Sequence, residues 1–330
     1  ETLGFEDGVW AAGLFAVNSA GTFEAGMSVL QLPAEPEDYD RFARVRSTLS
    51  AARATRPQPG RDDKVVTAWN GLAITALVEA GTGLGHPKWV DAAVECGEQL
   101  FARHVESGRV RRASLGSAVG EATGVLEDYA CLAVAAAALF QATGDSVWIE
   151  RTTSILDAAI EHFADPDDVG GWFDTADDAE TLVTRPRDPI DGATPSGAST
   201  MAEALLTASA LVDHESSARY RELAAAALAR AGLILERAPR SGGHWLAVAE
   251  ASVRGPIQVA VSTAPGGDLL SAVRASVPGG SVVVAGVTNS SVLLMDRPPV
   301  DGRETAYVCR GFVCDSPVTS AEDVSFALQR

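Results

Sequence analysis

Basic residues are scarce in this chain: 26 Lys and Arg stand against 44 Asp and Glu, a formal charge of -18 that repels phosphate backbones and anionic lipid surfaces. Nucleic acid is excluded as a partner on that ground. No apolar run reaches the roughly 20 residues a spanning helix needs. Nor does the N-terminus set a basic stretch before an apolar one. No membrane association is expected, and the reading is cytoplasmic. Four cysteines in 330 residues cannot make a disulfide scaffold, and two of them, Cys96 and Cys131, fall inside apolar helical patterns that suit reduced core residues. Cys309 and Cys314 lie five residues apart with no neighbouring Cys or His, which falls short of a zinc set. Two reduced thiols packing a small subdomain and a redox pair both fit them. Gly266-Gly267 lacks the GxGxxG spacing and a following Lys-Ser/Thr, so it reads as a turn. No cofactor and no metal are implied. The chain opens on Glu1, its first thirty residues carry no strong element, and it reads as a piece of something longer.

What is present is apolar and helical. Hydrophobic residues make up 46% of the chain, enough to fill a real core. Residues 1–35 form a mixed opening, followed by helical spacing from Pro36 to Ala54 that ends at Arg56-Pro57-Gln58-Pro59-Gly60. Then an alternation sets in. Lys64 to Ala80, Val125 to Thr143 and Ser196 to Val212 are apolar on nearly every face, as enclosed helices are. Each is followed by an amphipathic partner: Lys88 to Arg103, Val147 to Phe163 and Ser216 to Leu235. Three hairpins of one inner and one outer helix are half of a six-hairpin α/α barrel, predicted over 36–250. Gly170 to Arg185 reads as a β-hairpin inserted near 170–186. Beyond Gly255 the texture turns to strand, helix, strand: Ile257 to Val261, Gly266 to Ala275 and Ser281 to Val287. Thr305 to Val308 adds a strand and Ser320 to Leu328 a closing helix. Residues 251–330 are therefore predicted to be a small α/β subdomain, and the fold class is mainly α.

In such an array the inner helices run parallel, so their N-termini, with free backbone N–H groups, meet at one rim. Their leaders are acidic. The first follows Asp62, Asp63 and Lys64 and continues to Trp69 and Asn70; the second opens on Glu127, Asp128 and Tyr129; the third follows Asp191 and starts at Ser196. Aromatic faces beside hydrogen-bonding carboxylates suit a sugar, and a pair of carboxylates suffices for acid/base work on a glycosidic bond. Capping explains Asp63 and Ser196 equally well, and Trp69 and Tyr129 fit a core as well as a site. Glu127-Asp128 is the strongest pair, because two adjacent acids opening a greasy helix need partners if buried.

The segments RDDKVVTAWNGLAITAL, VLEDYA, GGWFDTADD, RPRDPIDGATPSGAS and AYVCRGFVCDSPVTSAED resemble, in order and over nearly the whole chain, the C-terminal half of the spermatogenesis-associated, thioredoxin-domain family. That resemblance implies a six-hairpin glycosidase-like barrel whose first hairpins and thioredoxin-like domain lie upstream. It marks Asp62, Asp63, Lys64, Trp69, Asn70, Glu127, Asp128, Tyr129, Asp191, Pro195, Ser196 and Gly197 as rim positions; Trp172, in the third of these segments, is a further candidate for substrate binding. Where the family is expected to carry Asn after PSG, this chain has Ala198. Related epimerases use paired histidines, but His86, His104, His162, His214 and His244 fall outside the rim motifs, so a carboxylate-based site fits better. Two functions follow as expectations. One is a sugar- or polyol-binding or -modifying domain with Glu127, Asp128, Asp62, Asp63 and Asp191 as acid/base candidates. The other is a non-catalytic scaffold for the upstream domain. An incomplete barrel also exposes inner-helix surface, so the missing N-terminal half or another chain is expected as a partner.

Overall fold

The computed structural model describes residues 1–262 and 268–329. It comprises two compact units, Glu1–Asp62 and Asp63–Arg330. In the first, α1 (Gly4–Leu14) packs with α2 (Tyr39–Ala54). Asp38 caps α2 by accepting from the Arg41 N–H at 2.8 Å, Arg41 pairs with Asp7 at 2.8 Å, and its guanidinium stacks over Trp10. The opening residues thus do hold a helix; Gly8 and Gly13 interrupt its apolar pattern.

The second unit begins with β1 (Lys64–Val66), followed by α3 (Thr67–Gly83) and α4 (Pro87–His104). The inner helix was expected from Lys64. It starts at Thr67 because the β-branched run Val65-Val66-Thr67 favours extended backbone and finds a strand to pair with. The link to the next hairpin carries β2 (Val105–Glu106), β3 (Arg109–Val110), β4 (Ala113–Leu115) and β5 (Ala118–Val119); β4 pairs antiparallel with both β1 and β5. Then come α5 (Leu126–Thr143), α6 (Ser146–Phe163), α7 (Gly197–Ser209), α8 (His214–Arg237) and α9 (Gly243–Arg254). α3/α4, α5/α6 and α7/α8 are the three hairpins, with α3, α5 and α7 side by side as the inner layer. α9 continues the wall against α7 and α8, an inner-type helix that the sequence pattern did not single out.

α5 is buried round nearly its whole circumference, and its alanines let neighbours approach closely on both sides. A Cβ on Gly71 of α3 would lie 2.7 Å from the Cys131 carbonyl oxygen, and one on Gly197 of α7 would lie 2.9 Å from the Glu127 backbone nitrogen. The latter contact brings the starts of α5 and α7 together, and a hydrogen bond from the Ala68 N–H to Asp128 brings in the start of α3. At the far end Val78 and Thr82 share a cleft with Ala138 and Gln141. The inner helices therefore run parallel.

The expected β-hairpin at 170–186 does not form; its one bridge is Ala164 to Trp172. Thr181 to Thr184 are all exposed and Pro186 follows directly, so the second expected strand has no buried face to pack and lacks a donor at its end. The loop is held by side chains instead: Arg185 and Arg187 stack over Phe173 at 3.8 and 3.9 Å, and Arg187 pairs with Asp165.

The C-terminal subdomain contains β6 (Ile257–Ser262), α10 (Asp268–Ser276), β7 (Val282–Gly286), β8 (Thr305–Arg310), β9 (Val313–Cys314) and α11 (Ala321–Leu328). Sheet order is β7-β6-β8-β9, with β6 and β7 parallel and the other pairs antiparallel. Alternate residues serve two cores. Ala260, Val282 and Val284 join the helical core, whereas Val259, Val261 and Val283 pack under α10 and α11. Gln258 ties the layers by donating to the Ala210 carbonyl at 2.9 Å and accepting from the Phe312 N–H at 2.7 Å. Cys309 and Cys314 face each other across the β8–β9 hairpin and are joined by a disulfide, so they are not the reduced thiols that were one expectation. The Gly266-Gly267 turn lies outside the described residues. Among the described residues no helix is long and apolar enough to cross a membrane.

Candidate functional site

Asp128, fully buried in the first turn of α5, organises the rim. One carboxylate oxygen accepts from the Ala68 N–H at 3.0 Å and from Arg112 at 2.9 Å, the other from the Val125 N–H at 2.9 Å. It therefore fastens the starts of α3 and α5 to the β3–β4 link that carries Arg112. Burial pushes its carboxyl up, and these hydrogen bonds pull it back only in part. Burial acts in the opposite sense on Arg112, but Asp128 and Glu127 outweigh it and hold the guanidinium above its ordinary value.

Glu127 is placed differently. Its side chain keeps about a fifth of its exposure, 3.3 Å from Arg112 on one oxygen and 3.4 Å from the Thr194 hydroxyl on the other. Asp191 is saturated. One oxygen accepts from the Ser196 N–H at 2.9 Å and the Ser199 hydroxyl at 2.7 Å, the other from the His244 and Trp245 N–H groups at 2.8 and 3.3 Å. Burial alone would raise this carboxyl, but the donors hold it below the usual range. Asp191 thereby caps α7 and α9 together, while the Ser196 hydroxyl caps α7 through the Ser199 N–H at 3.1 Å.

The remaining candidates divide. Trp69, in the first turn of α3, is 60% exposed, which makes it a surface aromatic and not core. Asn70 is held on Val66, its amide donating to that carbonyl at 2.8 Å. Tyr129 is buried; its hydroxyl accepts from the Val110 N–H at 3.0 Å and its ring packs on Phe163. Trp172 is buried as well, lining a cavity of about 110 Å³ with Trp245, Arg187 and Ala198. Asp62 closes the first unit, Asp63 opens the second, and both are exposed, as is Lys64 at the start of β1. The structure therefore gathers Trp69, Asn70, Glu127, Asp128, Asp191 and Ser196 around the helix starts and leaves Tyr129 and Trp172 inside.

Three further residues belong to this region: Arg112 and Glu203, which were not singled out, and His104, which was set outside the rim motifs. Arg112 is the cation that the buried acids required, and the need for one was the available signal. His104 is buried between the Thr67 and Ser114 hydroxyls, 2.8 Å from each. Since the Thr67 hydroxyl donates to the Arg111 carbonyl at 2.6 Å, the Nδ1–H of His104 donates to Thr67 and its Nε2 accepts from Ser114. Burial, then the charge of Arg103, lowers its pKa, consistent with a neutral ring. Glu203 of α7 lies 3.0 Å from His244 Nε2. Burial opposes protonation of His244, but Glu203 and Asp191 outweigh it and raise its pKa above 6.5.

The sign of that shift gives a test. A raised folded pKa means the contribution to stability is complete below 6.5 and is lost as pH rises through the folded value. Urea denaturation at about pH 6 and about pH 8 should show the wild type losing stability across the interval, with His244→Gln flattening the slope. Equal slopes in the two proteins would refute the pairing. Elsewhere, His162, Asp177 and Asp178 bring three potential ligand atoms within 4.8 Å of one another. Asp177 is spoken for by His162 and Asp178 by Arg109.

The fold and this rim define a class: a partial α/α barrel of helical hairpins with a small sheet subdomain, one inner helix, α5, opening on two acidic residues. Several relatives carry one name. Spermatogenesis-associated protein 20 of Mus musculus is 28% identical over 292 residues, covering 82% of this chain and 36% of that protein. The Rattus norvegicus protein of the same name is 34% identical over 177 residues, 51% of this chain and 22% of that one. An uncharacterised Caenorhabditis elegans protein is 26% identical over 294 residues, 84% and 40% of the two chains. Homologues of this name thus cover most of the chain; the chain spans 36% and 22% of those two and 40% of the Caenorhabditis elegans protein. No family model matches. Among solved structures, a sugar epimerase from a ruminal bacterium superposes with TM-score 0.45 at 14% identity, covering 59% of this chain and 55% of that one. An unsaturated glucuronyl hydrolase specific for heparin gives 0.42 at 19% identity, covering 58% and 54%.

Proposed function

We propose that this domain binds a sugar or polyol at the rim formed by the starts of α3, α5 and α7. Glu127 is the hydrogen-bonding and candidate acid/base carboxylate, and Trp69 is the stacking surface. The observation that carries the reading is the contrast between neighbours: Asp128 is fully buried and engaged on both oxygens, whereas Glu127 keeps solvent access and a weak 3.4 Å contact that a ligand hydroxyl can replace. Asp128 and Asp191 then act as positioning residues that fix the helix starts. Asp62, Asp63 and Lys64 remain acidic and basic groups at the boundary of the two units, with no role assigned. The acidic charge supports a protein without nucleic-acid or anionic-membrane partners, and the exposed Trp69 supports a further part of a longer protein, or another chain, beside α3.

A second reading has its own support. Saturated carboxylates that cap helices, as Asp128 and Asp191 do, are what a non-catalytic scaffold for an upstream thioredoxin-like domain requires. Thermal-shift and calorimetric screening of mono- and oligosaccharides and polyols separates the two. A stabilising sugar whose affinity falls by about tenfold or more in Glu127→Gln and in Trp69→Ala supports the first reading, since a charge-assisted hydrogen bond is worth about 1.5 to 3 kcal/mol. A panel in which no sugar binds the wild type removes it and leaves the scaffold.

A further inference from the structure

The β8–β9 hairpin turns through Gly311 and Phe312, both at positive φ (56° and 66°), a two-residue connection that sets Cys309 directly opposite Cys314. The two sulfurs differ in setting. Cys309 is 1% exposed, whereas Cys314 belongs to the two-residue edge strand and is partly exposed. Against Cys314 lies Arg297, whose Nε and Nη2 approach the sulfur at 3.3 and 3.1 Å while Nη1 donates to the Leu293 carbonyl at 2.7 Å. Among the described residues Arg297 forms no ion pair. Two N–H groups of a half-buried cation therefore converge on a disulfide sulfur, a neutral and weak acceptor. The same fork is matched to a sulfur that carries a full negative charge.

We propose that Cys309 and Cys314 form a redox-active dithiol/disulfide, with Cys314 the exchanging cysteine and Arg297 the group that stabilises its thiolate. The co-reactant is a thiol reductant. Its thiolate attacks Cys314 Sγ; a bond forms between the two sulfurs, the Cys309–Cys314 bond breaks, and the electron pair leaves on Cys309, which takes up a proton. A second reductant thiolate then attacks the reductant sulfur of the mixed disulfide. The reductant leaves as its own disulfide and Cys314 as a thiolate under Arg297, two electrons having passed to the protein. The buried Cys309 resolves the reverse reaction. Attack is directed to Cys314 because access limits exchange.

Equilibration of the full chain in glutathione buffers of graded ratio, followed by maleimide mass-tagging and peptide mapping to separate these sulfurs from Cys96 and Cys131, reads the equilibrium. A reversible two-electron transition within the glutathione range is expected. In Arg297→Gln the equilibrium constant should move toward the disulfide by about ten- to a hundredfold, the value of a lost charge-assisted hydrogen bond. Independently of that variant's folding, Cys309→Ser should trap glutathione on Cys314, whereas Cys314→Ser should leave Cys309 unmodified. A disulfide that stays oxidised across the range, a midpoint indifferent to folded Arg297→Gln, or glutathione collected on Cys309 in preference to Cys314 would each overturn the assignment.

Discussion

Replacing Asp128 by alanine should lower the free energy of unfolding by about 3 to 5 kcal/mol, the cost of leaving a buried charge and its donors without a partner. The carboxylate is fully buried and takes up the Ala68 and Val125 N–H groups and Arg112, all within 3.0 Å. Its removal strands two backbone donors at the starts of α3 and α5. Arg112 is left with Glu127 alone, at the longer distance of 3.3 Å. Asp128→Asn keeps one acceptor but turns an NH2 group toward a donor, so about 1 to 3 kcal/mol is expected there. Glu127→Gln touches a contact that solvent already reaches and should cost less than about 1 kcal/mol. Urea unfolding of the three variants ranks them. Since a domain's whole stability is about 5 to 15 kcal/mol, the Asn variant supplies a graded value where the Ala variant does not fold. An alanine variant within about 1 kcal/mol of wild type would remove the clamp and with it the positioning role proposed for Asp128.

This ranking also bears on function. A residue that holds the rim together loses ligand binding and stability in step, whereas one that touches ligand loses binding with the fold intact. Glu127 and Trp69 are expected in the second group, Asp128 and Asp191 in the first.

The parallel inner helices were legible in the sequence because three apolar segments of similar length each alternate with an amphipathic partner, and such an up-and-down array returns every inner helix in the same direction. The Ser196 cap was legible for a local reason: a side-chain oxygen three residues before an available N–H. Arg112 was not, since its partner Asp128 lies sixteen residues away, beyond an irregular link that periodicity cannot resolve. α9 escaped because Gly242, Gly243 and a short, mixed sequence hide its apolar face, and its N-terminal cap comes from Asp191, more than fifty residues earlier. The same limit produced the β-hairpin expected at 170–186. Apolar and β-branched residues there promised strands, but the partners that decide the outcome are the guanidiniums over Phe173. Trp69 was open in both directions, as core or as site; it lies two positions, about 200° of helix, from Gly71, the residue set against α5, and only the packing reveals that its own face stays exposed.

Two glycines of α3 should respond with opposite signs. At Gly71, α3 lies directly against α5: a Cβ would meet the Cys131 carbonyl oxygen at 2.7 Å and its carbon at 2.8 Å, and both atoms belong to helix backbone. No rotamer change relieves that contact. Gly71→Val therefore forces the inner helices apart beside Asp128, and overpacking of this kind costs about 1 to 3 kcal/mol. A Cβ on Gly83, in the last turn of the same helix, meets nothing within 4 Å. There Gly83→Ala removes freedom from the unfolded chain without strain and should stabilise by up to about 1 kcal/mol. Comparing the pair cancels intrinsic helix propensity as an explanation, because valine and alanine both propagate a helix better than glycine. Urea midpoints moving down for Gly71→Val and up for Gly83→Ala would confirm that the helix spacing at the rim is set by backbone contact. A Gly71→Val protein as stable as the wild type would show that α3 can retreat from α5, and the rim geometry built on Ala68 and Asp128 would then lose its rigid support.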